Sequence, residues 1–146
     1  MDSRNPQNPK SKKSFRHRFT QIKTDYKYSK ITEKIIEATF NVYNALGYGF
    51  LERVYENALL IELKNKNLEV ESQRPIEVFY QGKLVGNYLA DLIVEGKVIV
   101  EVKAVKSSIK IHEVQLVNYL KASGIEVGLL INFGRKLEIK RKIFDL

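Results

Sequence analysis

The sequence predicts a single α/β domain of the α+β type, in which a mixed β-sheet is flanked by helices. Two patterns lead to this prediction. Apolar residues recur at helical spacing over two successive segments between positions 31 and 67, whereas apolar and polar residues alternate in short runs between positions 76 and 105. At 146 residues the chain has the length of one domain with its own hydrophobic core. The predicted order of elements is α-α-β-β-β-α-β-β.

Two predicted helices come before any strand. The first ends at Gly47, and Ser29 or Thr32 is available as its N-cap. The second follows the glycine-rich break GYGF and extends from Leu51 to Asn67, with leucine and valine at helical spacing. The remaining predicted elements are, in order, strands over 76–80, 83–94 and 97–105, a helix over 111–123, and strands over 126–132 and 137–144.

Positive charge is concentrated in the first part of the chain. Residues 1–30 hold nine Lys or Arg and two Asp, a net charge of +7, so that only +1 of the total of +8 belongs to the rest of the chain. Residues 1–29 are predicted to form a disordered basic arm, and residues 30–146 to form the folded domain. The arm is either a phosphate-binding segment or a solvated leader without a role in binding.

Other features of the composition predict a cytoplasmic protein. The sequence has no cysteine, which excludes disulfides and thiolate metal sites and is consistent with a reducing compartment. No apolar run reaches the roughly 20 residues of a membrane-spanning helix, and the first residues lack the apolar stretch of a secretory signal. We therefore expect a soluble protein of the cytoplasm that does not associate with membranes.

Three charged residues interrupt the most strand-like segment, YLADLIVEGKVIVEVKAV. Alternation places Glu101 and Lys103 on one face of the third strand, with the valines on the other. Whether Asp91 of the second strand joins them depends on the turn, because a shift of one residue moves every side chain to the other face. Gly96 suits the left-handed position of a three-residue hairpin. The sequence therefore predicts a three-residue or bulged turn that brings Asp91 and Glu101 together.

Two neighbouring carboxylates with an ammonium beside them have two interpretations. Carboxylates this close repel each other unless a proton or a cation lies between them, and oxygen ligands suit Mg²⁺ or Mn²⁺. Lys103 would then orient an attacking water or stabilise negative charge on a phosphate. The alternative is an ordinary charged strand face exposed to solvent. Taken alone, the three residues favour this second interpretation.

The spacing of the three charged residues resembles the motif of the PD-(D/E)xK nuclease superfamily. Asp91 matches its first acidic position, and Glu101-Val102-Lys103 matches its E-x-K element. Ala90 stands where the motif usually has a proline, a departure that many divergent members share.

Two further motifs extend the resemblance from about Ile31 to the C-terminus. The segment GFLERVY (Gly49–Tyr55) is similar to the G-x-x-E-x-x-Y signature of the GxxExxY protein family, a branch of that superfamily. The segment QLVNY (Gln115–Tyr119) resembles the Q-x-x-x-Y helix of the RecB-like and lambda-exonuclease-like branch, and VGLLINFG also resembles this family. The ordered set of motifs is more specific than any one of them.

The resemblance implies a restriction-endonuclease-like PD-(D/E)xK core and a nuclease that hydrolyses phosphodiester bonds, in DNA rather than RNA, with Mg²⁺ or Mn²⁺. The catalytic residues that it implies are Glu52, Asp91, Glu101, Lys103 and Gln115. The implied metal ligands are Glu52, Asp91, Glu101 and the carbonyl of Val102. The implied substrate-binding residues are Tyr55 and Tyr119. Glu56 lies one helical turn after Glu52, but the G-x-x-E-x-x-Y frame selects Glu52.

Several alternatives stay open at the level of sequence. Glu52 is favourable at a helix N-terminus without any metal, and core packing explains Tyr55 equally well. The whole domain is alternatively a non-catalytic nucleic-acid-binding module or a protein-interaction module on a nuclease-like scaffold. The complete set of Asp91, Glu101 and Lys103 favours an enzyme, because a module that only holds phosphate gains little from clustered carboxylates. The oligomeric state is not predicted.

Overall fold

The computed structural model describes residues 28–145, and residues 1–27, which make up most of the predicted basic arm, lie outside the described residues. The helices are α1 (Ser29–Leu46), α2 (Glu52–Asn65) and α3 (Lys110–Ser123). The strands are β1 (Val70–Tyr80), β2 (Lys83–Val94), β3 (Val98–Lys103), β4 (Val127–Phe133) and β5 (Leu137–Ile143). Within residues 28–145, no helix has the length and apolar character needed to cross a membrane.

The five strands form one mixed sheet in the order β1-β2-β3-β4-β5. The strands β1, β2 and β3 are successive antiparallel neighbours, β3 and β4 are parallel, and β5 is antiparallel to β4. Helix α3 forms the crossover between β3 and β4, because parallel strands cannot be joined by a tight turn. The predicted fold class and order of elements are confirmed.

Helices cover both faces of the central strand β3. Helices α1 and α2 pack on one face, against Val100 and the alternate residues beside it. Helix α3 packs on the other face, where Leu116 and Leu120 belong to the same buried cluster as Ile99. A strand buried on both faces is expected to be almost entirely apolar. Glu101 is the buried exception in β3, where it follows Ile99 on the α3 face, and the half-buried Lys103 ends the strand.

A glycine in β4 sets the distance between α3 and the sheet. A Cβ atom added at Gly128 would lie 2.9 Å from Leu116 Cδ1, which is shorter than the 3.5–4.0 Å or so at which carbon atoms pack. The absence of a side chain at Gly128 therefore lets α3 approach the sheet closely. Helix α3 carries Gln115 and Tyr119, two of the predicted site residues.

Two local predictions differ from the structure. Strand β1 begins at Val70, well before the predicted start at Ile76, because it pairs with β2 over almost its whole length. Neither Ser29 nor Thr32 caps α1 through its side chain, and Tyr28 occupies the N-cap position. The Thr32 hydroxyl instead donates to the Ser29 carbonyl at 3.1 Å.

Candidate active site

The turn between β2 and β3 determines the faces on which the charged side chains lie. Val94 pairs with Val98, which leaves Glu95, Gly96 and Lys97 in the turn. Glu95 and Gly96 have φ angles of 55° and 63°, and the Lys97 N–H donates to the Val94 carbonyl at 2.9 Å. Glycine adopts such a left-handed conformation without steric cost. The predicted three-residue turn is confirmed.

With this register, Asp91 and Glu101 lie opposite each other where β2 and β3 separate. The backbone ladder between the two strands ends at the pair Leu92 and Val100. Beyond that pair, side chains accept the backbone hydrogen bonds. The Asp91 N–H donates to Glu101 Oε1 at 3.3 Å, and the Val102 N–H donates to Asp91 Oδ2 at 2.8 Å. The two carboxylates therefore meet, as the turn geometry predicted.

Glu101 is almost completely buried, with 6% of its surface exposed. Burial raises the pKa of Glu101 to about 9, and the neighbouring charge of Asp91 is the second cause. A carboxyl group with this pKa holds a proton at neutral pH when no cation is near. Glu101 is therefore the member of this carboxyl pair that holds the proton.

Lys103 and Glu52 lie beside this carboxylate pair. Lys103 follows Glu101 by two residues, so its side chain leaves the same face of β3. Glu52 is the first residue of α2 and is half-buried. Burial raises the pKa of Glu52, while the charge of Lys103 lowers it and the charge of Asp91 raises it. Glu52 therefore lies within electrostatic range of Lys103 and of Asp91.

A second acidic residue of α2, Glu56, is connected to the site through Gln73 of β1. Glu56 lies one turn after Glu52 and has 4% of its surface exposed. The Gln73 amide donates from Nε2 to Glu56 Oε1 at 2.6 Å and to Asp91 Oδ1 at 3.4 Å. Burial raises the pKa of Glu56, and the hydrogen bond from Gln73 partly offsets this effect. Gln73 therefore links the carboxylate of α2 to that of β2.

Gln73 has an unusual backbone conformation for a strand residue. Its φ angle is 54°. Ser72 pairs with Leu92 and Arg74 pairs with Ala90, but the pair expected between them is missing. A non-glycine residue in the left-handed region is strained, and such strain is concentrated at functional sites. No pattern in the sequence singles out Gln73, because a single polar amide near the start of a strand is very common.

Helix α3 brings Tyr119 to the carboxylates but leaves Gln115 on the surface. Burial raises the pKa of the Tyr119 hydroxyl, and the charge of Glu101 raises it further. Gln115 is exposed, and its Oε1 lies 3.4 Å from Nδ1 of His112. His112 is near enough to Glu52 for its charge to lower the pKa of that carboxyl group. Tyr119 therefore lies within electrostatic range of Glu101, and the predicted roles of Tyr119 and Gln115 stay predictions.

Tyr55 has a position that differs from the predicted contact with substrate. Its side chain is fully buried and stacks on Phe133, with the ring centroids 4.5 Å apart. Its hydroxyl donates to the Gly47 carbonyl at 2.7 Å and accepts a hydrogen bond from the Phe50 N–H at 3.2 Å. These contacts agree with the alternative of core packing, in which Tyr55 holds the loop before α2 in place. A contact between Tyr55 and substrate stays a prediction.

The residues at the point where β2 and β3 separate suit a hard cation. Asp91 and Glu101 supply the oxygen donors that Mg²⁺ and Mn²⁺ prefer, and the closeness of the half-buried Asp91 to the buried Glu101 calls for a proton or a cation. Because a strand residue presents its N–H and C=O to the same neighbour, the Val102 carbonyl also faces β2. Among the residues that the structure describes, no three His, Asp or Glu side chains are close enough to form a ligand set. Glu52 is thus within electrostatic range of Asp91 without forming such a set with the pair.

Comparisons with known proteins relate this geometry to a family. The family model of the PD-(D/E)XK nuclease superfamily matches residues 29–142. The crystal structure of SSO0001 superposes with a TM-score of 0.51 at 21% sequence identity, over 83% of this chain and 61% of that chain. This chain therefore spans less than two thirds of the length of that protein, and the likeness concerns the fold alone. No curated protein matches this chain.

Proposed function

This chain belongs to the PD-(D/E)XK nuclease superfamily, and we propose that it is a divalent-metal-dependent nuclease that hydrolyses phosphodiester bonds in DNA. Nucleases of this superfamily generally use divalent metals. The observation that carries the proposal is the contact between Asp91 and Glu101 where β2 and β3 separate. A buried acidic group such as Glu101 beside the carboxylate of the half-buried Asp91 is costly in a purely structural role, because burial and the neighbouring charge both disfavour its ionised form.

Asp91, Glu101 and the carbonyl of Val102 would hold the ion. When bound there, Mg²⁺ or Mn²⁺ would lower the pKa of its bound water and neutralise negative charge on the phosphate oxygens. Glu101 releases its proton when a cation binds, because a ligating carboxylate must be deprotonated. Glu52 adds a third carboxylate at the edge of the site, from the first turn of α2.

Lys103 assists the hydrolysis through the attacking water and the phosphate. Its ammonium leaves the same face of β3 as Glu101 and influences the charge of Glu52. From this position it orients the attacking water and stabilises the negative charge that develops on the phosphate. Tyr119, beside Glu101, and Gln115, one turn earlier on the same face of α3, position the substrate.

We also propose that the chain belongs to the GxxExxY branch of the superfamily. In support, each residue of that motif has a defined place: Gly49 has a φ angle of 110°, Glu52 begins α2, and Tyr55 holds the intervening loop. The i,i+4 pair of Gln115 and Tyr119 on α3 likewise supports a relationship to the RecB-like branch.

The experiment that tests the nuclease function is a cleavage assay on linear DNA, circular DNA and RNA, with Mg²⁺, with Mn²⁺ and with a chelator. The parent is compared with Lys103→Ala, Glu101→Gln and the control Lys83→Ala, whose side chain is exposed at the tip of the β1–β2 hairpin. We expect metal-dependent cleavage of DNA that falls about 100-fold or more in the first two variants and is unchanged in the control.

Two results would contradict this proposal in different ways. Equal cleavage by the parent, Lys103→Ala and Glu101→Gln would assign the activity to another site or to a contaminant. DNA binding by the parent without cleavage in any metal would favour a non-catalytic nucleic-acid-binding module on the same scaffold.

A further inference from the structure

A cavity of about 680 Å³ is lined by residues that neighbour the candidate site along the chain, and it has no role in the chemistry described above. Its lining includes Phe50 and Leu51, which immediately precede Glu52, and Ala104, which immediately follows Lys103. The cavity therefore adjoins the site at two points along the chain. Its volume is within the range of pockets that hold small ligands, roughly 300–1,000 Å³.

Positive charge is concentrated in the lining of this cavity. Lys106, Arg135 and Lys136 line it and are exposed, and Glu138 is the acidic residue of the lining. The Glu138 carboxylate accepts a hydrogen bond from Asn132 Nδ2 at 3.2 Å. The lining thus carries a net charge of about +2, whereas residues 31–146 as a whole carry only +1. This local excess suits an anionic ligand.

Aromatic rings occupy the same cavity. Tyr48 and Phe50 belong to the loop between α1 and α2 and are 53% and 48% exposed. The Arg135 guanidinium lies over the Tyr48 ring, 5.7 Å from its centroid. Exposed aromatic and guanidinium planes beside ammonium groups are the combination that binds single-stranded nucleic acid, through base stacking and phosphate contacts.

Two tyrosine hydroxyls hold the walls of the cavity in place. The Tyr55 hydroxyl contacts the Gly47 carbonyl and the Phe50 N–H and so fixes the aromatic loop. The Tyr43 hydroxyl lies 2.9 Å from the carbonyl oxygen of Gly134 and 2.7 Å from that of Arg135, in the turn between β4 and β5. A binding site whose walls are fixed in advance loses less entropy when a ligand binds.

The floor of the cavity is also fixed, by a buried amide. Asn132 is 1% exposed, and its Oδ1 accepts the Val105 N–H at 2.9 Å while its Nδ2 donates to the Val105 carbonyl at 3.0 Å. Both polar atoms of the Asn132 side chain are therefore hydrogen-bonded within the protein. Recognition in the cavity must come from the rings and the cations, which do not select a base sequence.

We propose that this cavity is a subsite for one unpaired nucleotide next to the phosphodiester bond that is cleaved, an inference that rests on the proposed nuclease function. The base lies against Phe50 and Tyr48, and its phosphate contacts Lys106 and Lys136. A base inside a duplex has its faces covered by its neighbours, so stacking on these rings requires a single strand or a frayed end. The substrate class is therefore nucleic acid with an unpaired nucleotide at the cleavage position.

Binding of the full chain to a fluorescently labelled oligothymidylate and to a blunt hairpin duplex, in a chelator, tests the subsite without cleavage. We expect the parent to prefer the single strand and Phe50→Ala to bind it about tenfold more weakly. The matched control is Phe79→Ala, since Phe79 is 58% exposed on the β1–β2 hairpin, and its affinity should equal that of the parent. Equal affinities for both variants, or a preference of the parent for the duplex, would overturn the subsite.

A charge variant that leaves the rings untouched gives an independent measurement. Lys106→Gln should reduce the slope of log affinity against log salt concentration by about 0.7 for one lost phosphate contact on a single strand, and Lys83→Gln should leave the slope unchanged. An unaltered slope in Lys106→Gln argues against the phosphate contact. Melting temperatures of all variants identify any loss of folding.

Cleavage in Mn²⁺, measured on the same preparations, separates this inference from the nuclease function. If the parent cleaves DNA and Phe50→Ala binds the single strand like the parent, the subsite is wrong and the nuclease function stands. If the parent cleaves nothing and Phe50→Ala still loses affinity, the subsite stands and the nuclease function is wrong.

Discussion

Asp91 and Glu101 orient each other through the backbone of the opposite strand. Glu101 Oε1 accepts the Asp91 N–H at 3.3 Å, and Asp91 Oδ2 accepts the N–H of Val102, the residue after Glu101, at 2.8 Å. These two bonds begin where the ladder between β2 and β3 ends. The separation of the strands therefore creates the site and leaves two carboxylates to satisfy the exposed backbone donors.

Mn²⁺ or Mg²⁺ should raise the melting temperature of the protein, because a cation that binds the folded state alone stabilises it by mass action. The measurement is thermal unfolding with increasing metal concentration. Asp91→Asn should abolish the increase, since it removes the charge but keeps an oxygen that can accept the Val102 N–H. A similar metal response in the parent and in Asp91→Asn would place the metal elsewhere.

The stability of the metal-free protein should depend on pH through Glu101. Its folded-state pKa of about 9 lies above the ordinary value of 4.5, so between these values the folded protein binds more protons than the unfolded chain. The contribution of Glu101 to stability is therefore complete below about pH 4.5 and is lost as the pH rises through about 9.

Glu101→Gln tests this dependence, because glutamine mimics the protonated acid and cannot ionise. At pH 7 the free energy of unfolding of the variant should exceed that of the parent by roughly 1–3 kcal/mol. Urea unfolding from pH 5 to 9 should show a flatter pH profile for the variant. Parallel profiles for the two proteins would show that Glu101 ionises normally.

Gln73 should affect activity and stability separately. Gln73→Gly relieves the left-handed backbone strain, whereas Gln73→Ala keeps it, so the glycine variant should be more stable by about 1 kcal/mol. Both variants lose the amide link between Glu56 and Asp91, and kcat/KM should decrease equally in both. Activity that instead follows the stability of the two variants would mean that Gln73 has no role in positioning Asp91.

Removal of one hydroxyl should loosen the loop before α2. Tyr55→Phe keeps the ring on Phe133 but leaves the Gly47 carbonyl and the Phe50 N–H without their partner. We expect the free energy of unfolding to fall by about 1–2 kcal/mol, as measured with urea. Tyr80→Phe is the matched control, because Tyr80 is 66% exposed. Equal stability of the two variants would contradict a structural role for the Tyr55 hydroxyl.

The alternation of residues in β3 and the position of Gly96 were sufficient to predict the meeting of Asp91 and Glu101. Strand alternation is a local property of the backbone, and the turn length fixes the register of its two strands. The order of helices and strands was predictable for the same reason, since apolar periodicity reflects which face of each element is buried.

The tertiary structure alone decided the parts of the site that depend on distant segments. Gln73 reaches Asp91 because β1 departs from regular geometry, and Tyr55 turns into the core because Phe133 of β4 lies beneath it. Glu56 joins Glu52 near the site because the first turns of α2 lie beside the point where β2 and β3 separate. Such contacts follow from the packing of whole elements against one another, and no local pattern of residues encodes them.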